Sequence, residues 1–419
     1  MEFRSLVKKL VTEKWGEICR RSHHIMMAVP FVLVAGSLVL STASVVRIHQ
    51  VLDHQSFQYS AELFETKKMS YRKLTVLSSG LDQNDGSAPR AKEGCLNVDM
   101  VKELHDDLNL KELAATGNSS SSGKNQKQKQ NQVKLVNLWE DCYSSTANYP
   151  VVGYIEQEQQ NSASSCEVVG VSGAYDVIHP FRYECGGFIT DNIDQYSVVL
   201  NTKLAWILFH SYQVLGAYVD INGTYYRVVG VVCEGDDTIA ETTGVTDPRA
   251  YVQFNQLVHL ANGNSVAETT DDLKDKITEK DLAVTCYEVL LTDPINNIAY
   301  NDLIASMTDT ISYSDKSTGI QVINNTDRFN VIRLWKKYFP LKKSYEGFDG
   351  MQVPYHERSA RLAERYVVFW AEALIISGVV LIGSLCNIYA IFHGKNSKHR
   401  IVEEDEEEEE SLALDIRRV

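Results

Sequence analysis

Residues 198–233, VVLNTKLAWILFHSYQVLGAYVDINGTYYRVVGVVC, decide the fold class. The stretch opens on a β-branched run at Val198 and Val199. It then passes into a segment whose apolar residues Leu204, Ala205, Ile207, Leu208 and Phe209 recur at helical spacing. Beyond it, Val219 and Ile221 lead into Asn222-Gly223, and the alternating Tyr226, Val228 and Val232 lead out. Both central residues of a type I′ turn need positive φ, which Asn and Gly accept, so a tight hairpin is predicted here. A strand, a helix and a hairpin in so short a stretch make an α+β unit.

Working outward, residues 71–77, 133–138, 151–155, 166–171, 250–254, 282–291 and 320–323 read as strands, with Trp139-Glu140-Asp141 closing the second of these. Residues 98–113, 295–307, 329–339 and 356–365 read as helices. The last of these has no breaker before the apolar run that follows it. Residues 80–91 are turn-rich, and 117–132, GNSSSSGKNQKQKQNQ, are low in complexity and expected as a flexible loop.

Two stretches near the ends of the 419-residue chain have a different character. Residues 25–46 contain no charged side chain and, at ~1.5 Å per residue, form about 33 Å of helix, enough to cross a bilayer. The run is longer than a signal-peptide core and is followed by Arg47-Ile48-His49 rather than a cleavage site, so an uncleaved anchor is expected. Residues 366–392 form a second span, interrupted by Glu372 and Asn387. Arg4, Lys8, Lys9, Lys14, Arg20 and Arg21 before the first span, and Lys395, Lys398 and Arg400 after the second, place both ends in the cytoplasm. The expected organisation is an amphipathic cytoplasmic segment 1–24, a span 25–46, an external domain 47–365, a span 366–392 and a cytoplasmic tail 393–419. Glu403 to Glu410 supplies much of the net charge of −14 and is expected to be a disordered acidic tail; nothing in the charge points to nucleic acid.

Chemistry is sparsely encoded. Gly117 to Lys124 approaches a phosphate loop but has one residue too many between its glycines and Asn125 where Ser or Thr belongs. Gly170-Val171-Ser172-Gly173 is one residue short of G-x-S-x-G. His179, His210 and His259 stand isolated and read as surface or packing residues. No Cys-x-x-Cys pair supports a zinc or redox site, although the external cysteines leave room for one or two disulfides. No catalytic residue, metal or cofactor is expected. Glu372 is the one site residue singled out. An ionisable group in a span either snorkels to the interface or contacts a partner helix, and Gly378 and Gly383 would allow close approach.

The central stretch also resembles the extracytoplasmic core domain of MacB-type and FtsX-type ABC permeases. The matching pieces are Leu204-Ala205-Trp206-Ile207-Leu208-Phe209, Leu215-Gly216, Ile221-Asn222-Gly223, Tyr226-Arg227-Val228-Val229-Gly230-Val231-Val232 and Ala250-Tyr251-Val252. Upstream, Gly170-Val171-Ser172-Gly173-Ala174-Tyr175 and Gly186-Gly187-Phe188-Ile189 fall where the family has related segments. The resemblance implies two small α/β lobes, a ferredoxin-like porter lobe with a second lobe inserted. It also implies a non-catalytic subunit in a bacterial cytoplasmic membrane, coupled to a separate ABC ATPase and acting on export or on an envelope protein or peptide. Family permeases continue past the second span with two more helices, where this sequence runs into its acidic tail. A companion multi-span permease subunit would supply them. The alternative is a stand-alone membrane-anchored module that binds or senses an external ligand.

Overall fold

Asn222 and Gly223 take φ of 49° and 84°, and the hairpin forms where they place it. In chain order the elements are α1 (Glu2–Asp53), α2 (Ser60–Phe64), β1 (Tyr71–Ser78), α3 (Val98–Gly117), β2 (Glu140–Ile155), β3 (Gln159–Gly173), α4 (Tyr175–Ile178), β4 (Arg182–Gly186), β5 (Ser197–Asn201), α5 (Thr202–Phe209), β6 (Tyr218–Ile221), β7 (Thr224–Cys233), α6 (Thr238–Thr242), β8 (Arg249–Gln253), α7 (Phe254–Asn262), β9 (Cys286–Thr292), α8 (Ile298–Ile311), β10 (Ile320–Asn324), α9 (Val331–Tyr338) and α10 (Tyr355–Ile416). The computed structural model describes residues 2–416 apart from 56–57, 59, 67–68, 81–87, 118–138, 156–158, 191–194, 236–237, 244–246, 263–276, 296, 314–318, 326–327 and 339–352. It describes the backbone alone over 2–27, 113–117, 155, 159–162, 164, 238 and 394–416. The expected amphipathic face of 1–24, the loop 118–132 and the strand 133–138 therefore lie outside the described side chains or residues.

Two compact units result, Val51–Arg365 and the paired ends Met1–Gln50 with Tyr366–Val419. The first is built on one sheet of order β10-β1-β9-β2-β3-β8-β5-β7-β4, with β6 pairing β2 and β7. Its first four strands are antiparallel throughout and come from β1-α3-β2 and β9-α8-β10. This is the split βαβ arrangement of a ferredoxin-like lobe. The segment between β2 and β9 forms the second lobe. There β8 runs parallel to β3 and β5 parallel to β7, each connected through helices. One face of the ferredoxin-like sheet presents Leu74, Val76, Val289 and Leu291 to Val101, Leu104 and Leu108 of α3 and to Leu303 and Met307 of α8, all buried.

Several boundaries differ from the sequence expectation. Trp139-Glu140-Asp141 opens β2 instead of closing a strand, because Glu140 to Ser144 pair with β9. Phe254 starts α7 rather than ending a strand, and α4 and β4 had no periodic signal because they are so short. The acidic block, expected to be disordered, continues α10 to Ile416, consistent with the helix propensity of glutamate. The seven described cysteines form no disulfide. On α3, His105 bonds Asp141 at 2.9 Å, which raises its pKa. The raised folded value means that this contribution is complete below about pH 6.5 and lost as pH rises through the folded pKa. At this half-exposed site the loss is about 0.5 kcal/mol or less. Denaturant midpoints at pH 6 and pH 8 should therefore differ less in His105→Gln than in the wild type.

In the other unit, two helices are long and apolar enough to cross a membrane, Ala28–Asp53 and Tyr355–His393, with mean hydropathies of 2.1 and 2.2. Val32, Val39, Ile376, Val379 and Phe392 are exposed, as side chains facing lipid must be. The helices meet through small polar residues. Ser37, Ser44, Ser377 and Ser384 are buried, and the Ser41 and Ser377 hydroxyls lie 2.8 Å apart. Gly378 and Gly383, read from sequence as points of close approach, have nothing within 4 Å of the Cβ position.

Candidate functional site at the start of the last helix

The opposite face of the ferredoxin-like sheet is polar, yet it is buried. By register, Thr75 and Cys142 both sit opposite Glu288, and Leu77 sits opposite Cys286, so these residues share one face with Lys73. An alternation such as Lys73-x-Thr75 ordinarily marks a solvated face. Here α4 and the first turns of α10 cover it, leaving Lys73, Thr75, His179, Glu288 and His356 between 0% and 2% exposed.

Glu288 is the centre of this layer. It receives Lys73 Nζ at 3.1 Å, the Thr75 hydroxyl at 3.2 Å and His179 Nε2, and His356 Nε2 lies 3.5 Å away. Burial opposes its ionisation, but the hydrogen bond from His179 and the Lys73 ammonium outweigh burial and hold the carboxyl well below the usual range. Burial pushes the pKa of His179 down to about 3, so its neutral ring donates the Nε2 proton to Glu288. Burial also raises the thiols of Cys142 and Cys286. Asn325 Nδ2 donates to Thr75 at 2.6 Å, and its Oδ1 accepts from Arg328 Nη1 at 3.1 Å, which extends the layer to a second ionic group.

Arg328 holds two carboxylates of α10. Its Nη1 and Nη2 fork onto Glu357 at 2.6 and 2.8 Å, and its Nε reaches Glu364 at 2.6 Å. Lys337 and Tyr338 of α9 also bond Glu364, and Arg361 bonds Glu357 at 2.7 Å. Bidentate, charge-assisted contacts of this kind fix direction as well as position. From the inserted lobe, Arg249 stacks on the Tyr355 ring at 3.9 Å while pairing with Glu234 and Glu167. Tyr251 donates to the Tyr355 hydroxyl at 2.9 Å. Gln55, two residues beyond α1, donates to Ser359 at 3.0 Å. The first three turns of α10 are thus gripped by both lobes of the domain and by the segment that follows α1.

The sequence reading had set most of these residues aside. His179, read as isolated, is brought to Glu288 and His356. His210, read as an isolated surface or packing residue, caps α5 in the left-handed region. Glu372 lies on α10 outside this cluster, half-buried, and its Oε1 is buried without a hydrogen-bond partner among the described residues. The acidic pairs Asp236-Asp237 and Asp271-Asp272, which lack a calcium-loop pattern and read from sequence as exposed turns, lie outside the described residues. The sequence signal that could have found the layer is Glu288 itself, a charge in the middle of the otherwise apolar strand CYEVLLT.

Fold and helices together define an α+β domain lying in sequence between two helices long and apolar enough to cross a membrane. Residues 111–283 match the MacB-like periplasmic core domain family, a stretch that contains the whole inserted lobe. Solved structures similar to the chain include the periplasmic region of MacB from Actinobacillus actinomycetemcomitans, 15% identical, covering 62% of this chain and 92% of that one, with a TM-score of 0.36. The extracellular domain of the noncanonic ABC-type transporter YknZ from Gram-positive bacteria is 15% identical over 60% of this chain and 100% of its own, with a TM-score of 0.34. A domain of a putative permease from Porphyromonas gingivalis is 8% identical over 61% of this chain and 87% of its own, with a TM-score of 0.28. No curated protein matches the sequence significantly.

Proposed function

We propose that this chain is a non-catalytic membrane subunit of a MacB/FtsX-like ABC transport system, in which a separate ATPase moves the membrane helices and the external domain moves with them. The observation that carries this reading is the grip on residues 355–365. A helix start held by Arg328, Arg249 and Tyr251 cannot shift without carrying both lobes, because each buried partner would be left uncompensated. In this reading both termini are cytoplasmic in a bacterial membrane, and the external lobes act on export or on an envelope partner. An ABC ATPase and a companion multi-span permease subunit complete the assembly.

Glu372 is the proposed contact with the companion. Gly383 follows it by about three helical turns on the same face, and the open space at Gly383 allows a backbone to approach closely. Purification of the full-length chain from its native membrane in mild detergent, with mass spectrometry of what stays bound, should recover an ABC ATPase and a multi-span permease. Glu372→Gln should reduce the recovered permease by about tenfold, as expected for a lost intramembrane polar contact of ~1–2 kcal/mol. Recovery of neither protein, under conditions that preserve other ABC complexes, would sink the coupling reading and favour a stand-alone ligand-binding module.

A further inference from the structure

We propose that the side chains around Glu288 form a binding site for one borderline-soft divalent transition ion, zinc above all, with Cys142, Cys286 and His356 as the other ligands and His179 holding the Glu288 carboxylate in place. Cys142, His179 and Glu288 each offer a ligand atom within 4.8 Å of the others, and so do Cys286, Glu288 and His356. The two triads share the Glu288 carboxylate. Tetrahedral zinc with bonds of ~2.0–2.3 Å sets its ligands about 3.4–3.8 Å apart, so within each triad closure needs movements of about an ångström.

A second observation points to a ligand independently of this clustering. The His356 side chain is 1% exposed, yet among the described residues neither ring nitrogen has a hydrogen-bond partner. Its Nε2 faces Glu288 Oε1 at 3.5 Å, too long for a hydrogen bond. Buried polar atoms are ordinarily satisfied, and an imidazole nitrogen beside a carboxylate and the Cys286 thiol has the chemistry of a metal ligand.

Charge balance agrees. The ion's two positive charges together with Lys73 offset the carboxylate of Glu288 and two thiolates, which leaves the buried group neutral. Binding forms two metal–sulfur bonds and breaks two S–H bonds, releasing two protons to solvent with no change in oxidation state. His179 keeps its Nε2 proton on Glu288 and orients the carboxylate toward the ion. Because the four ligands come from β2, β9 and the start of α10, no sequence spacing could reveal them. The ion would fasten α10 to the ferredoxin-like lobe at the point where the ionic grip already lies.

The test uses the full-length chain in detergent, stripped with chelator and reloaded with zinc or with cobalt. The expected result is one equivalent of zinc per chain after desalting. The cobalt form should show the intense visible bands of a tetrahedral centre and a near-ultraviolet thiolate charge-transfer band. Cys142→Ser with Cys286→Ser, a pair that keeps size and burial, should lose that band and reduce retained zinc at least tenfold while the chain still unfolds cooperatively. Less than a tenth of an equivalent of zinc in the folded wild type overturns the proposal. So does full retention of metal by the double variant, or a cobalt spectrum without thiolate charge transfer. None of these readouts depends on whether an ATPase partner is found.

Discussion

Arg328→Ala lowers the unfolding temperature of the full-length chain by about 10 °C. The guanidinium is the shared partner of Glu357 and Glu364, whose side chains are 1% and 2% exposed. Burial opposes its charge, but the two carboxylates hold its pKa above the ordinary value, so it stays ionised at any pH where the protein folds. Removing one partner of such a group leaves uncompensated buried charge and costs about 3–5 kcal/mol. In a domain of this size each kcal/mol shifts the midpoint by roughly 2–4 °C. The pair itself need not be stabilising overall. Arg328→Met combined with Glu357→Gln and Glu364→Gln should recover most of the loss, since replacing a whole buried ionic group is often neutral. Thermal unfolding of the three proteins in one detergent checks this, and an Arg328→Ala midpoint within 2 °C of the wild type would show that the grip is not made. If the proposed coupling is right, the triple variant, stable but lacking the ionic grip, also separates helix motion from the external lobes.

Gly230→Ala should be strongly destabilising in the inserted lobe. Gly230 sits between β4 and β5 on β7, opposite Gly186 and Val199, and an added Cβ would lie 2.1 Å from the Gly187 carbonyl oxygen. The obstacle is backbone directly after β4, anchored by the Gly187 N–H to the Val229 carbonyl at 3.2 Å, so no side chain can swing aside. Forcing β4 away breaks its pairing with β7, at a cost of about 3 kcal/mol. Gly187→Ala is the matched control. Nothing lies within 4 Å of its Cβ position, and its denaturant midpoint should stay close to that of the wild type. Equal midpoints for the two variants would mean that β4 is not held against β7 as described.

Much of the inserted lobe was legible from residue order, because its signals are local. Asn222-Gly223 dictates a hairpin through φ alone, and the apolar spacing of Leu204, Ala205 and Leu208 dictates the buried side of α5. Asn201 was not recognised as the cap of α5, although its Oδ1 accepts from Leu204 N at 2.9 Å. The spans were equally plain, since length and lack of charge are local properties. The contact between them was not. Gly378 and Gly383 attract attention by residue type, but which side of a helix meets its neighbour is settled by the partner, and the serines do so here.

By itself the sequence determined two membrane-length helices and an α+β domain between them, because hydropathy, turn chemistry and strand alternation act over a few residues at a time. Only the tertiary structure decided that Lys73, Cys142, His179, Glu288 and His356 meet, and that Arg328 and Arg249 grip the first turns of α10. Those residues come from strands and helices far apart in the chain. Burial turns their ordinary surface chemistry into a paired ionic layer, since charges removed from water must find one another.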